Sequence, residues 1–353
     1  MADKETKTVD FKKLKKTVEV GVRMQDNVIN ATPYFLEENK KQALGERRVG
    51  LGVMGLHDLL IYCETEYGSP EGNRLVDQVF ETIATTAYRT SIDLATEKGS
   101  FPFLNGETRE DTNRLRQAFI ETGFMKKMPE DVRQSILENG IRNSHLLTVA
   151  PTGSTGTMVG VSTGLEPYFS FSYFRSGRLG KFIEVKADIV QEYLDQHPEA
   201  DADNLPNWFV SSMELAPEAH ADVQCVIQRW IDSSISKTVN APKGYSVEQV
   251  EKVYERLYRG GAKGGTVYVD GSRDSQVLTL KAEENTNEQL SMFEDKPKQH
   301  VVLVDTITDL RSTDVTIGSE VGNTCPVCRK GKVEEMGGCN TCTNCGAQLK
   351  CGL

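Results

Sequence analysis

The sequence predicts an α/β chain that gives way to a polar linker and ends in a small cysteine-rich zinc ribbon. Short apolar strand candidates alternate with helical stretches over residues 1–280, as α/β folds require. Residues 281–299 (KAEENTNEQLSMFEDKPKQ) turn polar and poor in aromatics, which is linker composition. Of eight cysteines, Cys325, Cys328, Cys339, Cys342, Cys345 and Cys351 crowd the C-terminal end. Without secretory features, such a cluster reads as metal or redox chemistry and not as a disulfide framework. The expected domains are therefore residues 1–280, a linker over 281–320 with little regular structure, and a ribbon over 321–353.

In chain order, Leu14–Ile29 sets Leu14, Val18, Gly21, Val22, Gln25, Val28 and Ile29 along one face, the pattern of an amphipathic helix. Arg48–Gly55 reads as a short strand and turn. His57–Tyr67 and Asn73–Glu97 read as helices, the second closed by Gly99 and Pro102. Ala118–Asn139 is a broken helical stretch. Ser144–Ala150 (SHLLTVA) is an apolar strand candidate that runs directly into a loop, Pro151–Thr157. Further helices are expected at Ala219–Ile235 and at Ser246–Gly260, where Ser246 and Gln249 have capping-box spacing. Gly264–Val269 returns as a strand, and Val301–Asp305 is a weak candidate for one more. No internal repeat is present.

At 353 residues and 38% hydrophobic content the chain can bury a substantial core. Its longest apolar runs, such as Val301–Val304, are too short to span a bilayer. Met1–Lys16 is charged and has no apolar core, which argues against a secretory leader and for a cytoplasmic protein. The net charge of −10 is spread along the chain and leaves no basic footprint for nucleic acid.

Cys325-Pro-Val-Cys328 and Cys342-Thr-Asn-Cys345-Gly346 are two CxxC knuckles separated by thirteen residues. Zinc favours four thiolates in a tetrahedron, and two facing tight turns supply them. Gly346 is expected to allow close backbone packing around the second knuckle. A segment this short buries little core, so metal binding would also be its folding energy. Cys339 and Cys351 are left over and suit a dithiol–disulfide shuttle, which needs exposure and reach. The alternative is that one of them serves as a zinc ligand, since Cys339-Asn-Thr-Cys342 is itself a CxxC.

Gly50-Leu-Gly-Val-Met-Gly55 matches the G-x-G-x-x-G dinucleotide pattern, but no acidic residue ends a second strand downstream; a tight strand-to-helix turn is the better reading. Pro151-Thr-Gly-Ser-Thr-Gly-Thr157 offers hydroxyls and backbone N–H groups after an apolar strand, and a helix starting there would face its positive end to an anion. It is no Walker A loop, because the lysine is missing; an ordinary Ser/Thr/Gly turn is the competing reading. Cys63 and Cys225 lie in helical stretches and read as small buried hydrophobes. The five histidines are scattered and show no metal spacing.

Several segments, in order, resemble the large chain of ribonucleotide reductases: Arg23–Asn30 (RMQDNVIN), Arg48–Leu56, Ala150–Thr157, Gly164–Pro167, Ser236–Asn240 and Gly265–Asp274. The cysteine tail is similar to the terminus of the adenosylcobalamin-dependent class. Class I relatives carry two adjacent tyrosines in the late strand for long-range radical transfer; here Tyr268 and Val269 stand at those positions. A relay lacking one aromatic fits a radical generated locally by the cofactor.

The resemblance implies the second half of a ten-stranded α/β barrel, with Thr152, Gly153, Ser154, Thr155 and Gly156 holding the substrate phosphates. It implies a ribonucleoside-diphosphate reductase that makes deoxyribonucleotides for DNA synthesis, with adenosylcobalamin and zinc. The family's radical cysteine, its reducing cysteine pair and its allosteric sites have no counterpart here, since neither Cys63 nor Cys225 has the finger-loop context. The chain is thus expected to need an N-terminal partner chain, a split favoured over truncation by the initiating Met and charged lead-in. Cys339 and Cys351 would then relay electrons from a thioredoxin-like or other thiol reductant. The alternative from another class is a non-catalytic zinc-ribbon interaction protein on a degenerate scaffold. Neither a membrane nor nucleic acid is expected as a partner.

Overall fold

The computed structural model describes residues 1–177, 180–201, 204–272, 278–279, 320–325, 327–336 and 339–351. The chain forms two compact units, Met1–Glu283 and Glu284–Leu353. The expected linker over 281–320, and the weak strand at Val301–Asp305 within it, lie almost wholly outside the described residues.

The first unit opens with a small antiparallel pair, β1 (Ala2–Asp3) and β2 (Thr8–Val9). Helix α1 (Phe11–Ala31) starts where the Asp10 carboxylate accepts the Lys13 amide and stops at Thr32, ahead of Pro33. It runs longer than expected, and its buried residues are Leu14, Val18, Val22, Asp26 and Ile29. Val28, expected on that face, is exposed, because the ion pairs of Asp26 turn the carboxylate side inward. Helix α2 (Glu37–Glu46) is too uniformly polar to carry an apolar pattern and was not legible in the sequence.

Helix α3 (Leu56–Tyr62) is shorter than the expected His57–Tyr67, ending before Glu64, which takes a left-handed φ of 50°. Helix α4 (Pro70–Lys98) is the central element, with Ser69 as N-cap, Pro70 in the first turn and Gly99 at its end. The broken stretch resolves into α5 (Arg109–Ile120), a short 3-10 turn at Met125–Lys127 and α6 (Glu130–Asn139). Next come α7 (Gly153–Met158), the hairpin β3 (Ser172–Gly177) and β4 (Gly180–Lys186), and α8 (Asp188–Gln196). The unit closes with α9 (Pro217–Gln228), β5 (Thr238–Ala241), α10 (Val247–Arg259), β6 (Thr266–Val269) and β7 (Leu278–Thr279), which pairs with β3. Helix α10 has the full Ser246/Gln249 capping box. Helix α9 stops well short of the expected Ile235, because Asp232 leaves the helix to accept the Leu146 and Leu147 amides.

A parallel ladder runs through this unit. Val49 and Leu51 donate to His145 and Leu146, Thr148 donates back to Leu51, and Val149 exchanges hydrogen bonds with Ser234 and Ser236. Strand β5 follows directly and pairs in parallel with β6 from Thr238↔Thr266 to Ala241↔Val269. Long helical connections supply the crossovers that parallel strands need. Ser144–Ala150 therefore behaves as an extended ladder segment of isolated bridges. The architecture is an α/β mix, and no closed barrel forms among the described residues. The main core gathers α1, α4, α6, α9 and this ladder around Tyr67, Phe80, Tyr88 and Leu147. No helix among the described residues is long and apolar enough to cross a membrane.

Candidate metal centre and phosphate loop

In the second unit, β8 (Val333–Met336), β9 (Cys339–Cys342) and β10 (Gln348–Cys351) form an antiparallel sheet in the order β10-β9-β8. The two knuckles repeat one geometry. Val327 N donates to Cys325 Sγ at 3.3 Å, and Asn344 N to Cys342 Sγ at 3.4 Å. Arg329 N closes the first turn on Cys325 O, and Gly346 N the second on Cys342 O. Both closing residues are left-handed, with φ of 55° and 69°. Gly346 is thus needed for its φ, and a Cβ there would meet nothing within 4 Å. The close packing expected of it belongs instead to Gly331, where a Cβ would come within 2.5 Å of Cys342 Sγ.

Cys325, Cys328, Cys342 and Cys345 bring their sulfurs within 4.8 Å of one another. The contacts Cys325–Cys345 and Cys328–Cys342 are 3.8 and 3.6 Å. Metal–sulfur bonds of about 2.3 Å in a tetrahedron give a sulfur–sulfur edge of about 3.8 Å, so the four thiols fit a metal ion. The Gly331 N–H, with help from the Asn344 amide, pulls the Cys328 thiol down to about 5, and the Cys345 N–H lowers Cys342. Both sulfurs are biased toward the thiolate that binds metal. On the neighbouring strands, Cys351 and Cys339 are direct register partners. Their side chains lie outside the described residues.

In the first unit, Pro151–Thr157 is not the expected loop but the start of α7, reached at the carboxyl end of the 145–149 ladder segment. Gly153, Ser154 and Thr155 are exposed, whereas Gly156 is buried. The first-turn amides of a helix have no intrahelical acceptor and face its positive end. Thr152 leads the turn with a φ of 47°, its hydroxyl oxygen accepting the Gly164 amide at 2.7 Å. The motif Gly50–Gly55 is a tight turn, as expected: a Cβ on Gly52 would lie 2.6 Å from Thr148 O.

Behind this loop lies a buried polar cluster. The Lys237 ammonium, fully buried, donates to Glu166 Oε2 at 2.6 Å, His220 Nδ1 at 3.0 Å and Thr238 O at 3.1 Å. Glu166 Oε1 accepts the Thr238 amide at 2.6 Å. His220 hydrogen-bonds Ser212 O through Nε2, and burial together with the Lys237 charge pushes it down to about 3. Its Nδ1 is therefore a lone-pair acceptor. A second cluster joins Asp26 to Arg47, Arg142 and Asn143.

The model of the ribonucleotide reductase barrel domain matches residues 1–268. The chain belongs to the ribonucleotide reductase family. It is 30% identical over 292 residues to a protein of Mycobacterium tuberculosis (strain ATCC 25618 / H37Rv) named vitamin B12-dependent ribonucleoside-diphosphate reductase, covering 78% of this chain and 38% of that one. A protein of the same name from Thermoplasma acidophilum is 29% identical over 338 residues, 91% of this chain and 40% of its own length. A ribonucleoside-diphosphate reductase subunit alpha of Chlamydia pneumoniae is 28% identical, over 73% of this chain and 27% of that one. The chain thus spans about two fifths of the length of these two B12-dependent relatives.

In the second unit the four expected metal ligands come together, and in the first Thr152–Gly156 form one turn. Cys63 and Cys225 are only half-buried, and burial raises both thiols, Cys63 to about 11. Tyr268 lies on β6 opposite Asn240. Glu166 and Lys237 lie in the Gly164–Pro167 and Ser236–Asn240 segments, but the sequence alone assigns neither a role. The available signal was a lysine at the start of an apolar strand, a position where charge needs a partner.

Proposed function

We propose that this chain is the C-terminal part of a B12-dependent ribonucleoside-diphosphate reductase that makes deoxyribonucleotides. The carrying observation is the match to the Thermoplasma protein: at 91% of this chain it extends beyond the barrel unit whichever end it starts from. In this reading residues 1–280 form the second half of a ten-stranded barrel, completed by an N-terminal chain that carries the radical and reducing cysteines. Residues 281–320 link it to the tail. Cobalamin, when bound to the assembled enzyme, supplies the radical chemistry.

The residues of this chain bind and relay. The amides and hydroxyls of Gly153, Ser154 and Thr155 hold the substrate's phosphates at the positive end of α7, with Thr152 and Gly156 shaping the turn. Cys325, Cys328, Cys342 and Cys345 would hold zinc, which gives the tail its folding energy. Cys339 and Cys351 reduce the partner's disulfide by thiol exchange, become a disulfide themselves, and are reset by a thioredoxin-like dithiol. Their register supports this, because directly opposed antiparallel residues sit about 4.5–5.5 Å apart at Cα, within the roughly 4.4–6.8 Å that a disulfide spans. Such thiols suit the reducing cytoplasm.

The test is to produce both chains together and assay ribonucleoside diphosphate reduction with adenosylcobalamin. Activity is expected only with both chains present. Cys339→Ser with Cys351→Ser should cut turnover driven by a protein dithiol by ~10-fold or more while leaving metal content and turnover with a small dithiol intact. Absence of both a complex on gel filtration and activity would reject the split-enzyme reading.

A further inference from the structure

We infer that Lys237, through Glu166, is a positioning residue that holds the Thr152-led turn in the shape that receives phosphate. This rests on the phosphate-loop reading and deepens it. Three donors of one buried ammonium meet three acceptors on three separate parts of the chain: Glu166, His220 of α9, and the Thr238 carbonyl that opens β5. Glu166 is thereby clamped at both oxygens, one on Lys237 and one on the Thr238 amide. It terminates the turn in which its own amide donates to Thr163 O.

That turn is what touches the loop. Gly164 N donates to Thr152 Oγ1, and a Cβ on Gly164 would lie 2.9 Å from Ala150 O, so the two backbones are in direct contact. From the other side, Gly156 N closes on Thr152 O at 2.7 Å, and a Cβ on Gly156 would press on Thr163. Thr152 sits in a left-handed conformation that a β-branched residue adopts only when its surroundings impose it. The Lys237–Glu166 pair supplies that imposition, because a buried cation fixed by three hydrogen bonds cannot shift without losing its partners. The Lys237 side chain has no exposed surface and does not reach the phosphate.

Amide hydrogen exchange resolved by residue, run beside thermal unfolding on the full chain, is the experiment. Lys237→Met is expected to raise exchange at least ~10-fold at Gly156 and Gly164, while amides in the middle of α4 and α10 stay protected. Glu166→Gln, which keeps the shape and one acceptor, should give a smaller rise at the same two amides and serves as the deciding variant if Lys237→Met does not fold. Titration with inorganic pyrophosphate separates this claim from the one beneath it. Binding lost in both Ser154→Pro and Glu166→Gln supports both readings. No binding by the unaltered chain rejects the phosphate reading, yet the exchange result still decides the positioning role. Unchanged exchange at Gly156 and Gly164, or a rise spread evenly over the chain, overturns it.

Discussion

At the scale of single residues, the ribbon shows how two glycines can be needed for opposite reasons. Gly346 has open space around its α-carbon but a φ of 69°, so an alanine there costs about 1 kcal/mol of backbone strain. Gly331 has room for no side chain at all, since a Cβ would collide with Cys342 Sγ and with Asn344. It also donates to Cys328 Sγ, so displacing it disturbs two ligands at once. Gly331→Ala should therefore weaken metal binding by ~10-fold or more in competition with a chelator, with Gly346→Ala changing it far less. Equal affinities for the two variants would show that close approach at Gly331 does not shape the site.

At the scale of elements, α1 turns on one carboxylate. Asp26 is completely buried, with Arg47 Nε and Nη2 at 2.9 and 2.7 Å and the Asn143 amide at 3.1 Å. It fixes the helix to the start of two ladder segments, since Arg47 precedes Val49 and Asn143 precedes His145. Removing the carboxylate strands a buried guanidinium, so Asp26→Ala should cost about 3–5 kcal/mol in urea unfolding, well beyond an exposed substitution on the same helix such as Lys12→Ala. The same residue explains where sequence reading stopped. Apolar spacing found α1, α4 and α10 nearly to their ends, and the CxxC spacing found the metal ligands, because both signals are local. Periodicity expected Gln25 and Val28 on the inner face of α1, whereas a buried aspartate is legible only together with Arg47 and Asn143, distant in sequence. The same holds for Lys237, two of whose three acceptors, Glu166 and His220, come from other segments, and for the β3–β4 hairpin, which has no turn signal stronger than Gly177 and Gly180.

At the scale of the whole first unit, its buried histidines set a pH limit on stability. His57 is enclosed by Tyr67, Tyr168 and Phe171, and burial pushes it down to about 3; His220 beside Lys237 is pushed equally far. An unfolded histidine titrates near 6.5. Both folded values are depressed, so the unfolded chain takes up these protons first, and stability present above about pH 6.5 is lost as the pH falls. Between pH 6.5 and 5, mostly above the range where carboxylates titrate, each histidine should remove about 1.7 kcal/mol, or about 3.3 kcal/mol together. His57→Phe puts an aromatic ring into an aromatic pocket and eliminates one proton site at the cost of the acceptor used by the Tyr168 amide. The variant is expected to start less stable at pH 7.5 and to lose about 1.7 kcal/mol less than the unaltered chain between pH 6.5 and 5, as read from urea midpoints across that range. A decline as steep as that of the unaltered chain would mean that His57 does not stay neutral in the fold.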